Sequence, residues 1–171
     1  QKYCIENNLM INLCREMEPL GTLGAAANAS ISSNSNNVLI LNGDTIFDCN
    51  FPKVFDEFIK LKSTISIVLN RIENDRYGGY IINENGFLEL SKNKPCLISM
   101  GATFTKRELL IDIYKKFKLK KGVFAMMDQD FISKVQAYPY ILNKDNSFID
   151  IGTIESFRES QDFVPLFLSK F

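Results

Sequence analysis

The period of apolar residues changes several times along this chain, and each change predicts an element. Leu9 to Cys14 is mostly apolar and reads as a strand. The turn Pro19-Leu20-Gly21-Thr22 then leads into Gly24 to Ile31, an Ala-rich stretch of good helix formers. Val38-Leu39-Ile40-Leu41 is an unbroken apolar run, the pattern of a strand with both faces buried between helices in a parallel sheet, and it is expected at the sheet centre. From Phe51 to Leu61 the spacing turns helical, with Val54, Phe55, Phe58, Ile59 and Lys62 on one side, before the β-branched stretch Thr64 to Leu69. Together these pieces predict a β-α-β unit.

Tyr80-Ile81-Ile82 and Phe87-Leu88-Glu89-Leu90 flank Asn83-Glu84-Asn85-Gly86, a composition that predicts a hairpin with glycine in the left-handed position. A mixed sheet follows. Ile98 to Thr105 reads as a strand, and Leu109, Leu110, Ile113, Tyr114 and Phe117 mark one face of the next helix. A shorter helix is expected over Gln129 to Val135, with short strands at Tyr140 to Leu142 and Phe148 to Ile151. Thr153 is placed to cap a last helix reaching Gln161. No repeat, low-complexity tract or linker interrupts residues 1–171, which read as one domain of α/β class.

Composition narrows the function. Twenty Lys plus Arg balance twenty Asp plus Glu, so no net positive field gathers nucleic acid or an anionic membrane. The apolar runs are far shorter than the ~20 residues that span a bilayer. No basic stretch followed by an apolar one opens the chain, so no signal peptide is expected; the chain reads as one entered midway, and a cytoplasmic location is expected. Cys4, Cys14, Cys49 and Cys96 form no C-x-x-C pair and are expected as buried, reduced thiols. With no histidine, His-based triads and His-ligated metals are excluded from the segment, and any metal must be held by oxygen.

Three places can carry chemistry. Leu41-Asn42-Gly43-Asp44 sets a carboxylate just beyond a buried strand, where open α/β sheets bind ligands. Gly43 permits close approach and Asp44 offers hard oxygen to Mg²⁺, although an Asx turn explains the same residues. Phe148-Ile149-Asp150-Ile151-Gly152-Thr153 holds an acid between apolar residues, either bound to a cation or serving as a capping or salt-bridging group. Pro19-Leu20-Gly21-Thr22-Leu23-Gly24 places small residues before a helix N-terminus, suited to a flat base and to anions, or simply a structural turn.

Taken in order, Pro19 to Thr22, Gly43-Asp44, Tyr77-Gly78-Gly79-Tyr80, Lys92 and Asp150 to Thr153 resemble the pattern of the sugar-phosphate nucleotidyltransferases, the pyrophosphorylases that make nucleotide sugars. Glu18 to Thr22 and Phe148 to Glu155 are most similar to the heptose 1-phosphate guanylyltransferase branch. The resemblance implies a three-layer, Rossmann-like fold with a mixed, mostly parallel sheet that lacks its N-terminal β-α units. It implies transfer of a nucleotidyl group from a nucleoside triphosphate to a sugar 1-phosphate, possible products being GDP-heptose or another GDP-sugar. Asp44 and Asp150 would be the Mg²⁺ ligands and, with Lys92, the catalytic groups; Gly21 and Thr22 would border the base, Gly43 the ligand, Gly79 the sugar, and Lys92 the sugar phosphate.

Two departures stand beside the resemblance. The family's Gly-Gly-x-Gly-Thr-Arg-Leu loop does not occur here, so the 171 residues alone are expected to be inactive. Ser91 stands where many members carry Glu before the lysine. The alternatives are a noncatalytic sugar-phosphate or nucleotide-binding domain and a metal-dependent glycosyltransferase; the sequence leaves base, sugar and oligomeric state open.

Overall fold

The computed structural model describes residues 2–71, 79–91, 97–120, 129–143 and 147–170. In chain order the elements are α1 (Lys2–Glu6), α2 (Gly21–Ser30), β1 (Asn37–Leu41), β2 (Thr45–Phe47), α3 (Phe51–Lys60), β3 (Ile65–Asn70), β4 (Gly79–Ile82), β5 (Leu88–Ser91), β6 (Ile98–Lys106), α4 (Arg107–Lys120), α5 (Gln129–Val135), β7 (Tyr138–Ile141), β8 (Phe148–Asp150) and α6 (Ile154–Leu168).

Four strands form the main sheet in the order β1-β6-β3-β7, while β2–β8 and β4–β5 are two-stranded pairs. β6 is antiparallel to both β1 and β3, and β7 is parallel to β3. It follows that β1, β3 and β7 point one way and β6 is reversed. The sheet is mixed as expected, but among the described residues its neighbouring strands are parallel only at β3–β7, fewer than "mostly parallel" implied. The expected β-α-β unit is β1-α3-β3, with β6 inserted between its strands.

Alternation along the strands sorts side chains onto two faces. On one face Val38 and Ile40 pack against Leu23 and Ala27 of α2 and Leu110 and Ile113 of α4, and Ile65, Ile67 and Leu69 pack with Ile132 of α5. On the other, Leu39, Val68, Ala102 and Phe104 meet Val54 and Phe58 of α3. Helices on both faces of one sheet make three layers. At the hairpin, the Asn83 carboxamide oxygen accepts from the backbone N–H groups of Asn85 and Phe87, and Gly86 takes φ +83°, as its position predicted.

Four expectations are corrected. Val38 to Leu41 is covered on both faces but lies at the edge of the main sheet, with Leu41 52% exposed. The reversed strand β6 takes the position beside β3 that a central β1 would need; an apolar run reports covered faces and not the neighbour on each side. Leu9 to Cys14 forms no strand. Met10 and Ile11 are exposed, and no ladder partner lies alongside among the described residues, so apolar composition alone cannot hold the segment extended. The last helix runs beyond Gln161, through Pro165, to Leu168. β7 also begins at Tyr138, earlier than expected, with Pro139 tolerated because β7 closes the sheet on that side.

Candidate active site at the end of strand β1

The site is built where β1 runs out. Asn42 donates its backbone N–H to the Gly101 carbonyl at 2.8 Å, extending the β1–β6 ladder by one bond, and the chain then turns through Gly43 and Asp44 into β2. β2 pairs antiparallel with β8, Thr45 facing Asp150, and Ile151 donates to the Asp44 carbonyl at 2.8 Å. Asp44 and Asp150, far apart in sequence, therefore sit one step apart across a short ladder. Asp44 is exposed and Asp150 half-buried.

Local bonds fix Asp150. Its Oδ1 accepts from the Gly152 N–H at 2.7 Å, an Asx turn that delivers the chain to α6. There Thr153 caps as predicted, its hydroxyl accepting from the Ser156 N–H while Ser156 Oγ accepts from the Thr153 N–H, each at 3.1 Å. The turn and the ligand readings of Asp150 are compatible, since one carboxylate has room for more than one bond.

Between this turn and α2 opens a cleft of about 690 Å³, whose walls include Glu16, Thr22, Asn28, Asn42, Gly43 and Asp44. Gly21 begins α2 at φ +72°, a conformation that side chains disfavour, and Thr22 is exposed on the first turn. The N-cap residue Leu20 has no side-chain cap of its own; its N–H donates to the Glu16 carboxylate at 3.0 Å. Ala25, Ala26 and Ala29 keep the α2 wall low.

The structure thus brings together Thr22, Gly43 and Asp44 around the cleft, with Gly21 adjacent in α2 and Asp150 across the β2–β8 ladder. Gly79 is elsewhere: it is buried at the start of β4, in the separate hairpin, and does not line the cleft. Lys92, Tyr77 and Gly78 lie outside the described residues.

Sequence reasoning passed over Glu16, Asn28 and Gly101. A lone glycine within a strand does signal a bulge or close approach, and that signal marks Gly101. Cys4, Cys14 and Cys49 are free thiols, but Cys14 is exposed, with Asn28 Nδ2 donating to its sulfur at 3.2 Å, and Cys4 and Cys49 are half-buried, against the expectation of burial. Cys14 lies in the irregular segment that found no ladder. Burial, helped by the neighbouring Asp48 charge, pushes the Cys49 thiol up to about 11, so it stays protonated at neutral pH. Cys96 is outside the described residues.

Among the described residues no group of three or more His, Cys, Asp or Glu is placed to hold a metal. Mg²⁺ commonly takes one or two protein carboxylates and fills its octahedron with water and substrate phosphate oxygens, so Asp44 and Asp150 are the residues of this region whose carboxylates could hold it. Among the described residues no helix is long and apolar enough to cross a membrane.

A three-layer sheet with a small-residue turn, a helix N-terminus and an acidic turn around one cleft defines an α/β nucleotide-binding type of protein. The chain belongs to the Nucleotidyl transferase family, whose pattern it matches over residues 2–165. It is 29% identical over 161 residues to the D-glycero-alpha-D-manno-heptose 1-phosphate guanylyltransferase of Aneurinibacillus thermoaerophilus, covering 91% of this chain and 67% of that protein. It is 34% identical over 149 residues to the protein of the same name from Campylobacter jejuni subsp. jejuni serotype O:2, covering 83% and 62%. The chain thus spans about two thirds of the length of these curated relatives. The crystal structure of HddC from Yersinia pseudotuberculosis complexed with GMP-PN superimposes with a TM-score of 0.73 at 22% identity, over 95% of this chain and 72% of that one, which establishes the fold.

Proposed function

We propose that the natural protein carrying this chain transfers a nucleotidyl group from a nucleoside triphosphate to a sugar 1-phosphate, releasing pyrophosphate. GTP and a heptose 1-phosphate are the favoured pair, because both curated relatives are named as heptose 1-phosphate guanylyltransferases. The observation that supports the chemistry is the β2–β8 pairing, in which Thr45 faces Asp150 and the Ile151 N–H donates to the Asp44 carbonyl, so that the backbones of the two acids lie one ladder step apart. An oxygen of the sugar 1-phosphate attacks the α-phosphorus, forming a P–O bond as the bond to pyrophosphate breaks. The nucleophile is already ionised at neutral pH, so no general base is required, in keeping with a chain that has no histidine.

The work left to the protein is positioning and charge neutralisation. Asp44 and Asp150 hold Mg²⁺, which when bound offsets charge on the phosphates. Thr22 and Gly21 border the base at the start of α2, Gly43 leaves room for the ligand to approach the backbone, and Lys92 serves the sugar phosphate. We place the reaction in the cytoplasm. Family membership counts against the glycosyltransferase reading.

Pyrophosphate release by the natural protein, assayed with each common nucleoside triphosphate and a panel of sugar 1-phosphates, tests the proposal. GTP with a heptose 1-phosphate should give the fastest release. Binding of nucleotide without pyrophosphate release under any pairing would instead mean a noncatalytic binding domain.

A further inference from the structure

We infer that Gly101 is a positioning residue for the acidic turn, holding Asp44 in place because it lacks a side chain. The inference rests on the reading of Asp44 as a metal ligand, but the geometry that carries it lies in β6. Gly101 stands at an irregularity of that strand: Ile67 pairs with Thr103 and Leu69 with Ser99, so two steps along β3 are matched by four along β6. The extra length bulges the backbone of β6 at Gly101, which adopts φ +74°. From there its carbonyl accepts the Asn42 N–H at 2.8 Å, the last bond before the turn.

The space above Gly101 is filled by the two residues that bracket Asp44. A Cβ at position 101 would lie 2.6 Å from Thr45 Oγ1, 2.9 Å from Asn42 Cβ and 3.0 Å from Asn42 Cγ. Carbon contacts ordinarily lie at about 3.5–4.0 Å, so Asn42 would have to retreat by about half an ångström or more. The Asn42 Cβ is fixed to its backbone and cannot rotate away. Thr45 is branched at Cβ on a paired strand and its hydroxyl is buried, so few rotamers are open to it. Any side chain at position 101 therefore pushes on the turn from both sides of Asp44, and alanine is strained at this φ as well.

The consequence is specific to the site. Moving Asn42 and Thr45 weakens the two bonds that fix the turn, Asn42 N–H to Gly101 and Ile151 N–H to Asp44, while the ladder of β3 with β7 is untouched. Asp44 then shifts relative to Asp150, and a cation that needs both loses affinity. Substitutions that disturb the support of metal ligands typically cost about 10–100-fold in metal affinity, and Gly101→Ala is expected within that range.

Amide hydrogen exchange and Mn²⁺ binding, followed by electron paramagnetic resonance of the free ion, test this in the natural protein. Gly101→Ala should speed exchange at Asn42 and Ile151, leave Val68 and Leu69 protected, and weaken Mn²⁺ binding at least about tenfold. Asp44→Asn should weaken Mn²⁺ binding with the Asn42 amide still protected. If Gly101→Ala leaves the exchange at Asn42 and Ile151 unchanged, the inference is overturned. If Asp44→Asn binds Mn²⁺ normally while Gly101→Ala loosens both amides, the ligand reading of Asp44 fails and the role of Gly101 in holding the turn stands. Should Gly101→Ala not fold, Thr45→Ala is compared with Gly101→Ala/Thr45→Ala, where the 2.6 Å contact is gone but those with Asn42 remain. The double variant should still exchange faster at Asn42 than Thr45→Ala alone; equal rates would overturn the inference.

Discussion

Strands β1 and β3 both carry apolar runs, Val38 to Leu41 and Ile67 to Leu69, yet the molecule uses them differently. Every residue of β3 is buried, with β6 on one side and β7 on the other. Among the described residues β1 has β6 on one side only, Val38 to Ile40 are half-buried, and Leu41 is exposed where the strand reaches the cleft. The doubly flanked strand carries the core. The singly flanked one hands its last residues to the site, where backbone free of a tight neighbour can turn and present Gly43 and Asp44. A strand end with one open side is a place for chemistry because fewer packing constraints bear on it.

Substitutions should separate the two strands by what they damage. The largest effect is expected at the end of β1: Asp44→Asn in the natural protein should lower kcat by about 10²–10³ with the KM for sugar 1-phosphate little changed, because the charge chiefly serves the transition state. Steady-state kinetics showing full turnover would remove the catalytic half of the comparison. Its thermal midpoint should stay near that of the unsubstituted protein, since Asp44 is exposed.

In β3 the damage should be to stability. Ile67→Ala, at 1% exposure, should cost about 2–5 kcal/mol in urea unfolding. Ile40→Ala, half-buried in β1, should cost only about half of that, since both the transfer and cavity contributions scale with the volume left empty. Equal losses would mean that the open edge of β1 is packed as tightly as the interior. The smallest effect is expected beyond the far end of the acidic ladder, where Thr153→Ala removes the α6 cap and should cost ~1 kcal/mol in the same unfolding measurement. A loss of zero would show that the α6 terminus is held by Asp150 and Gly152 rather than by its cap.

Most local elements are legible in the order of residues. Val54 and Phe58 fall on the buried side of α3 because their spacing matches a helical turn, Gly86 takes a left-handed φ because the hairpin requires it, and Thr153 caps α6 because its hydroxyl reaches the N–H three residues on. Such features depend on neighbours a few positions away, so they are written in composition and period. Asp44 and Asp150 could be singled out the same way, as acids beside apolar runs. Adjacency came from the folded chain: β6 enters reversed between β1 and β3, β1 is therefore an edge, β2 and β8 pair and bring the two acids one ladder step apart, and the bare backbone of Gly101 lies under the turn between them. The physical reason is that an apolar face records how much of a strand is covered but not which strand lies beside it, because the backbone hydrogen bonds that select a neighbour are made by groups every residue shares.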